Sequence, residues 1–416
     1  MSNLPEFDFD TVTPITSKNP VWKKSPANGK YFINSVAVSA DGERVVGGTF
    51  YHLYGAPKSR RSDAAGFQSR AGTSTDDGTF GTYCYDAAGG LLWKNEFNGW
   101  QGVYWVAVSA DGTRAAAGGN MTQSPQAGFV RAFDGETGAV LLDFPTAQRV
   151  NQVALSADGS WLVSAAESLM LFRFDAETGA YVKVDAFIPA VSGAGSNAVV
   201  SLGISDDGGV IVFSDYAGHI GVLANTGGKL ALRQQFQLPA SFSHMVALTS
   251  DGRFFAAGGA GGTFYLCDTG RFIKEGKPTY AYDTGVADPV YGVAVAEGGE
   301  VFAGVVNSGA DTGFVYVISI VDFAMELQAK FSTAHNPNSV SLNLEAGLLA
   351  VADGHPDNTP GDFYLFDGIT AGLAIVEPEL CWQYQTGNMS WPIKIAADGK
   401  TVVAGSDDSF VYYFRA

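Results

Sequence analysis

One short pattern recurs along this chain and leaves few folds open to it. It reads VAVSADG at 36–42 and again at 106–112, VALSADG at 153–159, LGISDDG at 202–208 and VALTSDG at 246–252. Looser copies follow as VAVAEGG at 293–299, VSLNLEAG at 340–347 and IKIAADG at 393–399. An Asp-Gly pair set between two short apolar runs is a strong local signal for a β-hairpin.

The spacing turns a hairpin signal into an architecture. Taking Asp41, Asp111, Asp158, Asp207, Asp251, Gly298, Ala346 and Asp398 as markers, the intervals are 70, 47, 49, 44, 47, 48 and 52 residues. All but the first match a four-stranded propeller blade, about 40–50 residues. The long interval holds an insertion between Tyr51 and Gly78. An aromatic strand follows most hairpins, as in GTYCYD at 81–86, GFVRAFD at 128–134 and LMLFRFD at 169–175. A Gly-containing turn then leads to a fourth strand such as LLWKNEF at 91–97. The expected fold is all-β: an eight-bladed β-propeller of four-stranded antiparallel blades over 20–416, with a tail at 1–19 and a long loop at 52–76 in the first blade. The last unit ends at FVYYFRA without a fourth strand, while Val21-Trp22-Lys23-Lys24 resembles one. That N-terminal strand is expected to complete the last blade and close the ring.

Composition agrees and excludes some functions. The 52 glycines among 416 residues suit many tight turns, and a 46% hydrophobic share is ample for a large core. A net charge of −17, from 25 basic and 42 acidic residues, argues against nucleic-acid binding and against anionic membranes. Cys84, Cys267 and Cys381 lie far apart and are expected to be buried free thiols. The N-terminal stretch lacks a basic start and an apolar signal core, and no run approaches a transmembrane span of about 20 apolar residues, so a cytoplasmic location is expected.

Three turns share a further signature: YDAAGGLLW at 85–93, FDGETGAVL at 133–141 and FDAETGAYV at 174–182. They resemble the tryptophan-docking repeat of quinoprotein-dehydrogenase-like propellers, and the SADG hairpins resemble those of WD-repeat propellers. The resemblance spans about 20–416 and implies the eight-bladed form, with docking tryptophans at Trp22, Trp93 and Trp382. No calcium-and-quinone constellation carries over residue by residue and no two cysteines are adjacent, so no cofactor or metal is expected. Propellers host many unrelated activities, so function has to be argued from a site.

In a propeller of this strand order, the SADG turns occupy one face, and the long variable loops share the other. Binding residues concentrate on irregular loops carried by a rigid scaffold. By alignment, Asn34, Tyr104, Asn151, Val200, His244, Tyr291, Asn338 and Trp391 enter the innermost strands and ring the channel mouth, joined by Trp105, Gln152 and Met245. Such a ring can hydrogen-bond and stack; it can also simply cap the channel. Lys394 stands where the other repeats have Ala37, Ala107, Ala154, Gly203, Ala247, Ala294 and Ser341, so it must reach the channel or meet an acid or a carbonyl. Asp353, His355 and Asp357 read as a loop rather than a metal site. Lys58, Arg60, Arg61 and Arg70 mark the 52–76 insertion as a possible docking loop for an acidic partner. No phosphate-binding loop, nucleophile elbow or zinc-protease motif is present. The expected function is a non-catalytic scaffold that recognises a protein or peptide partner through its long-loop face. The alternatives are a small-molecule or carbohydrate ligand in the channel, or an enzyme with its site there.

Overall fold

In the computed structural model, the described residues are 18–29, 31–51, 79–123, 126–189, 198–239, 243–259, 261–307, 312–355, 360–372 and 378–416. They form six four-stranded antiparallel sheets and one sheet of eight strands. The larger sheet joins two four-stranded units through a single pair, Phe50 with Gly102. The innermost strands stand side by side in sequence order, and the last of them, Ser390–Ile395, lies against the first, Phe32–Val38, so the sheets close into a ring around a channel. The architecture is that of a β-propeller.

The repeated motif has a local physical cause. In the first copy the Ser39 hydroxyl donates to Asp41 Oδ1 at 2.6 Å and accepts from the Arg44 amide at 3.0 Å, while Asp41 Oδ1 accepts from the Glu43 amide at 3.0 Å. Gly42 then turns the chain at φ 75°, a backbone conformation that β-carbon-bearing residues resist. The same serine-to-aspartate bond recurs at Ser109–Asp111, Ser156–Asp158 and Ser205–Asp207, with Thr249 in the serine's place at Asp251. Neighbouring turns are tied by backbone bonds: Ala40 N to Ala110 O, Ala157 N to Asp206 O, Asp206 N to Ser250 O, and Asp398 N back to Ala40 O. Their face of the ring is therefore scaffold.

Burial follows strand position. The second strand of a sheet is covered on both faces, as in Arg44–Phe50, where every residue after Arg44 is buried. The outermost strand is mostly exposed: Leu91–Asn98 buries only Trp93 fully. Sheets meet through a small residue on the second strand that receives a branched side chain from the next innermost strand. A β-carbon on Gly118 would sit 2.4 Å from Val150 Cγ1, and Gly48 meets Val103, Gly258 meets Val290, and Gly405 meets Ile33 in the same way.

The N-terminal strand Trp22–Lys24 pairs antiparallel with Val411–Arg415, placing Trp22 opposite Tyr413, Lys23 opposite Tyr412 and Lys24 opposite Val411. This is the closure expected from sequence. Trp22 also reaches the next sheet and Trp93 the next four-stranded unit of its own, donating their indole N–H groups to Ala87 O at 3.0 Å and Gly135 O at 2.9 Å. Trp382 stacks on Phe414 instead, with centroids 4.6 Å apart.

Two expectations need correction. Cys84 and Cys267 are buried, but Cys381 is exposed, because it lies on the outward side of an outermost strand, Glu379–Gln385. One third-to-fourth-strand connection is not a plain turn: Thr269–Glu275 is an α-helix, begun by Asp268 accepting from the Arg271 amide and ended by Gly276 at φ 72°. Its Phe272 fills the space against Phe255. No helix among the described residues is long and apolar enough to cross a membrane.

Candidate binding site at the channel mouth

The face opposite the SADG turns opens into a cavity of about 350 Å3. Of the residues expected at the channel mouth, Asn34, Tyr104, Trp105, Asn151, Gln152, Val200, Met245, Tyr291, Asn338, Trp391 and Lys394 all line it. His244 belongs to the strand Ser243–Leu248, but its side chain lies outside the described residues, as do Lys58, Arg60, Arg61 and Arg70 with the rest of 52–76. The repeat alignment therefore brought together residues that line one cavity. The roles of the individual residues divide sharply.

The amide side chains hold the ring together. Asn34 Nδ2 donates to Tyr104 O at 2.7 Å, joining the two halves of the eight-stranded sheet, and Asn151 Nδ2 donates to Val199 O at 2.7 Å in the next sheet. Asn338 Nδ2 bridges Gly354 O at 3.0 Å and Ser390 O at 2.9 Å. Gln152 Oε1 accepts from the Leu202 amide at 2.9 Å. All four side chains are buried. Backbone groups of adjacent sheets have no ladder partner at these joints, and a buried amide supplies one. The capping role applies to these residues.

The aromatic residues behave differently. Tyr104, Trp105, Tyr216, Tyr291 and Trp391 are each half-buried, as is Met245, so each keeps accessible surface at the cavity. Burial raises the Tyr291 and Tyr216 phenols above the usual tyrosine range, the first aided by the Asp288 charge and the second opposed by Arg149. Both stay protonated donors at neutral pH.

Arg149 and Tyr216 were missed by the sequence reading. Arg149 lies two residues ahead of Asn151 and is the only charged residue at that offset in the repeats; its counterparts are Phe32, Gly102, Ala198, Phe242, Pro289, Asn336 and Met389. The comparison that singled out Lys394 would have found it. Its guanidinium lies 4.3 Å from the Tyr104 ring centroid, and its Nε and Nη2 donate to Asn151 Oδ1 at 3.0 and 2.9 Å. Tyr216 sits in the turn after the strand Val210–Asp215, where nothing in the repeat marks it.

Lys394 reaches the channel. Its side chain is accessible, but the accessible area faces the channel interior and protein surrounds it, so desolvation holds its pKa below the usual lysine value. Among the described residues it has no ion-pair partner. The carboxylate of Asp353 points inward, accepting from the Asp362 and His335 amides and from the Tyr364 hydroxyl. No group of acids, histidines and cysteines among the described residues has the arrangement of a metal site; Asp357 lies outside them.

A closed ring of antiparallel sheets around a channel defines a β-propeller. No family sequence profile matches the chain, and no curated protein matches it in sequence. Solved structures do match in fold. Sqt1 from Chaetomium thermophilum superposes with a TM-score of 0.69 at 14% identity, covering 96% of this chain and 98% of that one. The same protein bound to the N-terminus of ribosomal protein L10 gives 0.67 at 15% identity, covering 93% and 97%. Saccharomyces cerevisiae Sqt1 gives 0.67 at 10% identity, covering 96% and 100%. These matches support the WD-repeat side of the resemblance and not the quinoprotein side.

Proposed function

We propose that residues 20–416 form a single eight-bladed propeller, the eight-stranded sheet counting as two blades, that acts without catalysis as a binding protein for a protein or peptide partner. The site is the channel mouth, and the observation that carries the reading is its cavity. Rings from several separate sheets converge there on a rigid frame, while the polar residues beside them are committed to holding the sheets together. Half-buried Tyr and Trp residues on a fixed scaffold supply contact area at little conformational cost, the usual composition of binding hot spots. The Sqt1 structure bound to the N-terminus of ribosomal protein L10 is a propeller of similar fold in complex with a peptide segment.

The test is a peptide-array selection on the full chain, repeated with Trp391→Ala and Tyr104→Ala. Selected peptides should lose about tenfold or more in affinity, in line with the truncation of a buried aromatic anchor. Unchanged affinity in both variants would place the binding surface elsewhere. A small ligand in the channel is a second reading, favoured by the cavity volume, which falls at the lower end of small-molecule sites, about 300–1,000 Å3.

A further inference from the structure

The cavity has a charge character opposite to that of the protein around it. The chain carries 42 acidic and 25 basic residues. The described residues lining the cavity nonetheless include two cations, Arg149 and Lys394, and no carboxylate. The cations enter on different strands and at different depths. Arg149 precedes its innermost strand and lies at the rim against Tyr104. Lys394 lies three residues beyond Trp391 on the strand Ser390–Ile395, about 10 Å further in at the rise of a β-strand.

Each cation is arranged for a ligand in its own way. Arg149 is held in place by Asn151 Oδ1, by Tyr216 and by the Tyr104 face, which fixes a permanent positive charge at the rim. Lys394 lines the cavity at a strand position where the other innermost strands carry small residues such as Ala37, Ala107 and Gly203. A lysine that faces the channel and lacks an acidic partner among the described residues presents its charge to an incoming anion. Cations at the end of a low-dielectric funnel also concentrate field lines, drawing anions through an otherwise repulsive acidic surface.

We propose that the channel mouth recognises a carboxylate, carried by an acidic peptide segment, between Arg149 and Lys394, with the aromatic rim gripping the apolar residues that flank it. This rests on the peptide-binding reading above and specifies its ligand chemistry.

The test uses the full chain and three fluorescein-labelled undecapeptides of one apolar-flanked sequence, differing only in a central Glu-Glu, Gln-Gln or Lys-Lys pair, with free glutarate as a fourth probe. Binding is read by anisotropy for the peptides and by calorimetry for glutarate, with Trp391→Ala assigning signal to the cavity. The Glu-Glu peptide should bind about tenfold or more tightly than the Gln-Gln peptide, as expected for a charge-assisted contact in an enclosed site. Lys394→Met and Arg149→Gln should each erase most of the ratio between Glu-Glu and Gln-Gln affinities, the quantity that isolates the charge contact. Lys394→Glu should shift preference toward the Lys-Lys peptide, a gain that misfolding cannot produce. Equal binding of all three peptides at the cavity would overturn the carboxylate inference and leave the peptide reading intact. Glutarate binding without peptide binding would sustain the carboxylate site and overturn the peptide reading. No binding by any probe would overturn the carboxylate site.

Discussion

The indole of Trp22 stacks on the phenol ring of Tyr413, with centroids 5.1 Å apart and planes 13° from parallel. The pair joins the beginning of the ring to its end, and the Trp22 N–H continues to Ala87 O in the next sheet. Trp22 and Tyr413 belong to one sheet, so strands nearly four hundred residues apart complete it, while the Trp22 N–H ties that last sheet to the first.

Trp22→Ala should therefore weaken the closure more than its place near a terminus suggests. Trp22 is 8% exposed, and truncating a buried tryptophan costs about 3–5 kcal/mol. Chemical denaturation should show a correspondingly lower midpoint. A variant that unfolds with the wild type would mean that the N-terminal strand does not hold the ring shut.

Gly118 tests the packing between sheets. A β-carbon there meets Val150 Cγ1 at 2.4 Å and Val150 Cβ at 2.9 Å, and Val150 is fully buried at the start of the next sheet. Gly118→Ala should destabilise by about 1–3 kcal/mol through overpacking. Gly179→Ala is a useful control, because nothing lies within 4 Å of its added carbon. That control pays only for its positive φ of 68°. Equal losses in the two variants would show that the contact with Val150 is unimportant.

Asn338 separates scaffold from site. Its amide serves two buried carbonyls, those of Gly354 and Ser390, and Asn338→Ala leaves both without this donor, at about 1–3 kcal/mol each. Thermal melting should register the loss, while affinity for any channel ligand, measured well below the melting range, should stay close to wild type. A selective loss of binding with stability unchanged would move Asn338 into the binding site.

Asp407 should make stability depend on pH near neutrality. Burial and the neighbouring Asp408 charge push its pKa up to about 8, whereas an unfolded aspartate titrates near about 3.9. A carboxyl with a raised folded pKa holds its proton more tightly when folded, so its contribution to stability declines as pH rises from about 4 to about 8. Asp407→Asn keeps the shape and removes the titration. The variant should gain stability relative to wild type across that window, and the gap should be constant below it. A gap independent of pH throughout would show that Asp407 does not carry the linkage.

Much of the frame was legible because its causes are local. The Ser–x–Asp–Gly turn is satisfied within a few residues, as Ser39, Asp41 and Arg44 show, so it leaves the same trace wherever it recurs. The closing strand was legible because Val21–Lys24 carries the pattern of the fourth strand that the last unit lacks. The helix Thr269–Glu275 was overlooked although its signals were present, an aspartate before it and a glycine after it, because the repeat led to the expectation of a turn.

Lys394 and Arg149 show where sequence and tertiary structure divide. The sequence by itself determined the hairpins, their spacing, the face they occupy and the anomaly of a lysine among small residues, since each follows from the periodic chemistry of one strand or turn. Only the tertiary structure decided that Asn34, Asn151, Gln152 and Asn338 spend their amides on neighbouring four-stranded units, and that Arg149 comes to rest over Tyr104 in the cavity that Lys394 also lines. Those pairings cross from sheet to sheet around a closed ring, and sequence periodicity describes each sheet without fixing how side chains of different sheets meet.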